Sequence, residues 1–241
     1  MNTHKSFEQP NAKSGMTGSI LKRLLQVAIS TVAQAAMLFI SSGRLDWVMA
    51  WVYIGVNVGI VVINALIILP KNPELIAERG QIKENTKDWD RVLIKLFTPV
   101  WGSTFVVAGL DVRFGWSPQP FLAIQLVALV FVALGFGLVS WAMASNKFFS
   151  SVVRIQKDRG HTVATSGPYQ YVRHPGYVGM LTYLLATPLL LGSLWAIIPA
   201  GLIICIIFVR TILEDKTLLD ELDGYQDYAR RVRYRLLPGI W

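Results

Sequence analysis

The sequence predicts an all-α fold: a polytopic integral membrane protein of about six transmembrane helices, the last two as a helical hairpin. Three observations carry that prediction. Of 241 residues, 53% are apolar and only 16% are charged, against roughly 25% charged in a soluble domain. The apolar residues are gathered into blocks of about 20, which matches a hydrocarbon layer of roughly 30 Å. Finally, all but Arg44 and Arg113 of the 23 lysines and arginines fall in four polar segments, 1–23, 71–95, 147–173 and 210–235.

Residues 1–20 are polar, rich in Gly, Ser, Asn and Lys, with no small-residue cleavage site after a short apolar stretch. They are expected to form a cytoplasmic tail, followed by a retained helix rather than a signal peptide. The first apolar block runs from Leu21 to Ser41, with Lys22 and Arg23 at its inner edge. The second runs from Trp47 to Leu69 and stops at Pro70-Lys71. Only Ser42–Asp46 separates the two, so they form a tight hairpin. The third block, 92–110, contains Pro99, Gly102 and Gly109. A helix kinked at Pro99 fits, because transmembrane helices tolerate proline. The fourth, 119–143, carries Gly135 and Gly137, which permit close helix contact. Residues 21–143 thus read as four transmembrane helices.

A polar, amphipathic segment covers 144–175 and is followed by an apolar stretch from Tyr177 to Val209. That stretch is too long for one span at ordinary tilt. Gly192-Ser193 interrupts it near its middle. A hairpin turning at Leu191–Ser193 and a single strongly tilted helix are both open readings. The positive-inside rule favours the hairpin. It places both termini in the cytoplasm, and five spans would put Arg230-Arg231-Val232-Arg233-Tyr234-Arg235 outside. In a bacterium the membrane would be the plasma membrane.

Composition excludes several functions. The net charge of +8 forms no basic stripe with interleaved aromatics, so no nucleic acid is expected as a partner. The single cysteine, Cys205, permits no intramolecular disulfide and no cysteine cluster. His4, His161 and His174 are too few and too scattered for a zinc motif, and no metal is expected. Charged residues are nearly absent from helix interiors and no internal repeat is visible, which argues against a transporter or channel. The polar chemistry is concentrated in 144–175 and 210–241. That layout suits an enzyme at the membrane face, with membrane lipid around it.

Three clusters could carry chemistry. Residues 167–179 read Gly-Pro-Tyr-Gln-Tyr-Val-Arg-His-Pro-Gly-Tyr-Val-Gly and open into the fifth apolar block. Pro175 suits a helix start, and the positive helix end beside Arg173 and His174 could hold a carboxylate. The same residues could equally be an interfacial turn at headgroup level. The second cluster is Arg210 through Leu218. Arg210 and Glu214 share a face if the helix continues, and Glu214-Asp215 could neutralise a bound cation or simply end a helix. The third is Gly224-Tyr225-Gln226-Asp227-Tyr228 with the arginine-rich run behind it. Those arginines could anchor to anionic lipid or orient a substrate carboxylate.

At these residues the sequence resembles the isoprenylcysteine carboxyl methyltransferase family. That family sits in a wider group with phospholipid N-methyltransferases and bacterial membrane thiol methyltransferases. The matched signature is Gly-Pro-Tyr-x-Tyr-x-Arg-His-Pro-x-Tyr-x-Gly at 167–179, then the acidic pair, then Gly224-Tyr225-x-x-Tyr228 and Pro238. The stretches 146–161 and 72–80 also look like this group. The clear resemblance covers 144–241, which is expected to be the catalytic region. It implies S-adenosyl-L-methionine as methyl donor, held in a cytoplasmic cofactor pocket. By that resemblance Arg173, His174, Pro175, Tyr177, Gly179, Glu214 and Asp215 are cofactor-binding residues. Asp215 departs from the family's second glutamate by one methylene. Methyl transfer is an in-line displacement that needs alignment and water exclusion rather than an acyl-enzyme nucleophile. Arg210, Arg231 and Arg233 are the expected acceptor-orienting, catalytic residues. The acceptor is a lipophilic or small molecule, an isoprenylcysteine-type carboxylate by resemblance. A small thiol, with His161 or His174 as base, and a phospholipid amine are the alternatives. A membrane scaffold and a nicotinamide-dependent reductase of related architecture are readings of a different class.

Overall fold

The computed structural model describes residues 10–79, 85–118 and 120–241, with the side chains of 10–15 outside that description. His4, Gly80, the first nine residues of the expected tail and residue 119 lie outside the described residues. Eight α-helices are described: α1 (Pro10–Ser42), α2 (Val48–Ile68), α3 (Pro73–Arg79), α4 (Asp88–Phe114), α5 (Leu122–Ser145), α6 (Pro175–Leu191), α7 (Ile197–Glu221) and α8 (Tyr225–Arg231). Two 3-10 turns, Lys157–Arg159 and Gly167–Gln170, punctuate the segment between α5 and α6. There is no strand among the described residues.

Five of these helices, α1, α2, α4, α5 and α7, are long and apolar enough to cross a membrane. The fold is therefore an all-α, multi-pass helical bundle. α6 is apolar but shorter, at 17 residues. Leu21, Val32, Ile40, Leu66, Phe121, Leu134 and Ile198 are all exposed. A belt of that size would be a liability in water and is the ordinary outer surface of a protein in lipid.

The helix limits depart from the sequence expectation in three places. α1 starts at Pro10, so residues 10–20 are helical and run on into the first apolar block. α4 extends beyond 92–110 at both ends and runs unbroken through Pro99. α7 does not stop near Val209 but continues to Glu221. That continuation keeps Arg210, Glu214 and Asp215 on one rigid helix.

Glycines set the closest helix contacts. α5 and α6 pack most intimately, and Gly135 faces Gly179 across their contact. A Cβ on Gly179 would stand 2.6 Å from the Gly135 carbonyl oxygen, and one on Gly135 would stand 2.7 Å from the Gly179 carbonyl. Both obstacles are backbone, which has no room to move. Gly109 of α4 makes a similar close approach to Ser41 of α1.

At the far end of the bundle from the 167–179 motif, Asp111 ties α4 to the α6–α7 turn. It accepts hydrogen bonds from the Ser117 amide at 2.7 Å, the Ser117 hydroxyl at 2.6 Å and the Ser193 hydroxyl at 2.5 Å. Ser117 Oγ in turn accepts the Leu194 amide at 3.0 Å. α6 stops at Gly192, whose φ of 78° is the left-handed conformation that glycine favours at a helix end. α7 begins at Ile197 and the two helices touch.

The glycine contacts give a direct test. Gly179→Ala should lower the melting temperature in detergent, because overpacking costs about 1–3 kcal/mol. Gly137→Ala is the control. An added Cβ there meets no atom within 4 Å, so it should be neutral or stabilising. Equal melting of the two variants would remove the close contact from the account.

Candidate functional site

Asp215 is the centre of the polar assembly. It is fully buried, near the C-terminal end of α7. The Arg173 guanidinium donates to it through two nitrogens, Nε to Oδ1 at 2.8 Å and Nη2 to Oδ2 at 2.9 Å. The Tyr225 hydroxyl donates to Oδ1 at 2.9 Å and Arg235 Nε to Oδ2 at 2.8 Å. His174 Nε2 lies 3.1 Å from Oδ1. A buried carboxylate is tolerable only when its lone pairs are satisfied in this way.

Arg173 is used up by the fold. Its remaining Nη1 donates to the Val232 and Arg233 carbonyls at 3.0 and 2.8 Å. Burial opposes its charge, but the hydrogen bond and charge of Asp215 outweigh that and raise its pKa. The backbone joins in: the Arg173 amide donates to the Tyr234 carbonyl and the His174 amide to the Arg235 carbonyl. The chain after α8 is thereby strapped across the start of α6. The Tyr228 hydroxyl completes the knot, donating to the Tyr169 carbonyl at 2.7 Å.

Above this knot lies a cavity of about 600 Å³, within the range of small-molecule sites. Its polar end is lined by His161, Arg173, His174, Tyr177, Arg210 and Glu214. Its other end runs between α1, α2 and α4, past Val27, Ile60, Phe97 and Trp101. One space therefore joins polar chemistry to an apolar wall.

Two charged groups face it in different states. Glu214 accepts a hydrogen bond from the Tyr177 hydroxyl and forms no ion pair among the described residues. Arg210 is held from behind by Asp90, which is fully buried. Arg210 Nε donates to Asp90 Oδ1 at 2.7 Å and Nη2 to the Ser151 carbonyl at 2.9 Å. Its guanidinium carbon lies 5.7 Å from the Tyr177 ring centroid. Its Nη1 makes no hydrogen bond among the described residues.

The histidines are not poised as bases. His161 Nδ1 accepts the Gln156 amide at 3.2 Å. Burial, with help from the charges of Arg154 and Arg159, pushes its pKa down to about 4. His174 is committed to Asp215.

The structure divides the sequence-predicted residues. Arg173, His174, Tyr177, Arg210 and Glu214 border the cavity; Pro175, Gly179, Asp215, Arg231 and Arg233 do not. Pro175 opens α6 and Gly179 is a packing contact. Asp215 points into the knot because neighbouring residues on a helix diverge by about 100°. Arg231 and Arg233 are exposed, since the tail turns them outward while their backbone carbonyl region holds Arg173. Arg210 pairs with Asp90, not with Glu214 as i,i+4 spacing suggests.

Other cavity residues escape sequence reasoning. Arg79, inside the 72–80 stretch, is among them. So is an uncharged polar face on α1 and α2: Ser30, Gln34, Tyr53, Asn57 and Asn64 line the cavity's inner part. Gln34 donates to Ser30 Oγ at 3.1 Å and accepts from the Tyr53 hydroxyl at 3.4 Å. The signal was there: amides and hydroxyls at helical spacing inside apolar spans face a partner or a cavity.

Known proteins resemble this chain in the same region. The sequence model of the isoprenylcysteine carboxyl methyltransferase family matches residues 126–220. A protein-S-isoprenylcysteine O-methyltransferase of Schizosaccharomyces pombe is 34% identical over 115 residues, 46% of this chain and 49% of that protein. One of Dictyostelium discoideum is 23% identical over 171 residues, 70% of this chain and 68% of that protein. One of Mus musculus is 29% identical over 117 residues, 45% of this chain and 40% of that protein. The chain spans about half the length of the first of these curated relatives.

The two adjacent acids should behave differently. Asp215→Ala leaves Arg173 buried without its anion, and breaking such a pair costs about 3–5 kcal/mol. It should abolish a cooperative melt in detergent. Glu214→Gln removes no ion-pair partner and should melt close to the parent. Similar melting of both variants would refute the division.

Proposed function

We propose, from this family-level match and the chemistry of the cavity, that the chain is a membrane methyltransferase. It uses S-adenosylmethionine to methylate the carboxylate of a lipophilic acceptor of isoprenylcysteine type. One observation carries the reading. A carboxylate with no ion pair among the described residues, Glu214, and a guanidinium whose Nη1 makes no hydrogen bond among them, Arg210, face one cavity that continues between α1, α2 and α4, where an apolar wall stands beside an uncharged polar face. Such a cavity suits a cationic donor and an anionic, lipid-like acceptor together.

The residues fit the cofactor, since the cavity has the volume for it and an acid to meet its positive charge. Bound there, S-adenosylmethionine would supply an electrophilic methyl group on a cationic sulfur. Glu214 balances that positive charge, where low solvation strengthens the attraction. Tyr177 holds the Glu214 side chain in place. His174 borders the pocket, while Arg173, Pro175, Gly179 and Asp215 fix the wall that carries these groups. Arg210, kept rigid by Asp90, aligns the acceptor carboxylate through Nη1. The apolar wall formed by Val27, Ile60, Phe97 and Trp101 takes the acceptor's hydrocarbon and excludes water there.

The histidines favour a carboxylate over a thiol. A thiol needs a base, and His161 is held neutral by its environment with its Nδ1 occupied, while His174 serves Asp215. An ionised carboxylate needs no base. A phospholipid amine gives Arg210 no anion to hold at the reacting end. Arg231 and Arg233, being exposed, take the anchoring role, worth about 1 kcal/mol each against anionic lipid.

For topology, α6 is proposed as a short sixth crossing that forms a hairpin with α7. Lys and Arg are then inside apart from Arg44 and Arg113, and both termini are cytoplasmic. Residues 144–241 form the catalytic region, behind the helices of 21–143. An impermeant maleimide applied to intact cells should leave a single cysteine at position 231 unlabelled in a Cys205→Ser background. Strong labelling from outside would overturn the six-span arrangement.

The activity test uses purified protein with labelled methyl donor and a farnesylcysteine-type carboxylate. Glu214→Gln should weaken S-adenosylhomocysteine binding at least tenfold, about 1.4 kcal/mol. Arg210→Lys keeps a charge beside Asp90 but not the fork, and should cut turnover about tenfold with donor affinity unchanged. Arg231→Ala and Arg233→Ala should cost little, and less as salt is raised. Binding of NADPH in place of S-adenosylhomocysteine would favour a reductase, and binding of neither a scaffold.

A further inference from the structure

Arg79 closes α3 and borders the cavity. Its Nη1 is buried and has no hydrogen-bond partner, and it forms no ion pair among the described residues. Its surroundings are cationic: Arg23 and Arg210 both border the same cavity. Burial first, then the charges of Arg23 and Arg210, push its pKa down to about 9. At neutral pH it is still a cation, and an expensive one.

The side chain is nonetheless held in place. Its guanidinium carbon lies 5.2 Å from the Phe149 ring centroid. Phe149 is itself seated by Gly176, where an added Cβ would stand 2.8 Å from the ring. A glycine inside the 167–179 motif thus positions the ring that carries Arg79. Compare Arg154 nearby: it is more deeply buried than the half-buried Arg79 and it is paired, with Glu78 at 2.6 Å and Asp158 at 2.8 Å. The fold supplies an acid where an arginine is only structural. Among the described residues none pairs with Arg79, a residue that lines the ligand space and whose Nη1 has no partner.

We propose that Arg79 is a second anion-binding residue of the cavity, and that with Arg210 it holds the carboxylate of the methyl acceptor. The inference rests on the carboxylate-methylating reading above. Two guanidiniums on different elements, α3 and α7, can fix both oxygens of a carboxylate, which one alone cannot do while its Nε and Nη2 are turned to Asp90 and Ser151. The donor's amino-acid end offers the same chemistry, so the test separates the two carboxylates.

The probes are N-acetyl-S-farnesylcysteine and its methyl ester, bound to protein in detergent and measured by calorimetry, with S-adenosylhomocysteine in a parallel titration. The parent should prefer the free acid over the ester. Arg79→Met should lose that preference by at least tenfold while keeping its affinity for S-adenosylhomocysteine. Without ligand, Arg79→Met should also melt no lower than the parent, because a half-buried charge whose Nη1 has no partner among the described residues has been removed. A structural arginine would predict the opposite. Arg79→Lys provides a variant that retains charge, and it should keep part of the preference. If Arg79→Met keeps the full preference for the acid, the inference falls and the methyltransferase reading stands. Weaker S-adenosylhomocysteine binding with the acid preference intact would assign Arg79 to the donor and overturn the inference. A parent that binds neither farnesyl probe would overturn both.

Discussion

A carboxylate buried inside a membrane-facing bundle has to be surrounded by donors, and the arrangement around Asp215 organises everything near the cavity. Arg173 and His174 come from the entry to α6, Tyr225 from α8 and Arg235 from the tail. These elements are far apart in sequence and share one acceptor. Because the acid is fully buried, no water can replace a missing donor, so the elements must arrive together. The strap across the start of α6 and the placement of Glu214 one residue earlier follow from that constraint.

The second consequence is a division of arginines by what stands behind them. Arg173 and Arg154 are saturated by acids and carbonyls and serve the fold. Arg210 is saturated on one side only, by Asp90 and Ser151. Arg79 lies against an aromatic ring, and its Nη1 has no hydrogen-bond partner among the described residues. Residue type is the same throughout, but Arg154 and Arg173 are buried while Arg79 and Arg210 are half-buried beside the cavity; unmet N–H groups at such positions separate a binding group from a brace. A site that is electrostatically incomplete in the free protein stores part of the attraction that its ligand later releases.

Much of the fold was legible in the sequence. Blocks of about 20 apolar residues mark where the long helices lie, and glycine marks where helices turn or touch. The errors came at helix ends. α1 and α7 both extend into polar sequence, because a helix that leaves the apolar layer can continue wherever its other face still packs. Of the paired glycines in α5, only Gly135 meets a neighbour. Spacing could not choose between Gly135 and Gly137, since which one faces α6 depends on how α5 is rotated.

The sequence by itself determined the class of the molecule and the short list of residues that could do chemistry. Apolar length and charge distribution are properties of the chain, and they act on the membrane without any tertiary detail. Only the tertiary structure decided the roles within that list. Glu214 and Asp215 are chemically alike and adjacent, yet about 100° of helical rotation sends one to the cavity and the other to Arg173. Arg210 matched Glu214 by spacing but pairs with Asp90, 120 residues away. Arg79 lay in the family-like 72–80 stretch, but nothing in that stretch marked it as a cavity residue until its surroundings were known. A partner supplied from a distant element, or the lack of one, is a fact of three-dimensional packing, and no local pattern encodes it.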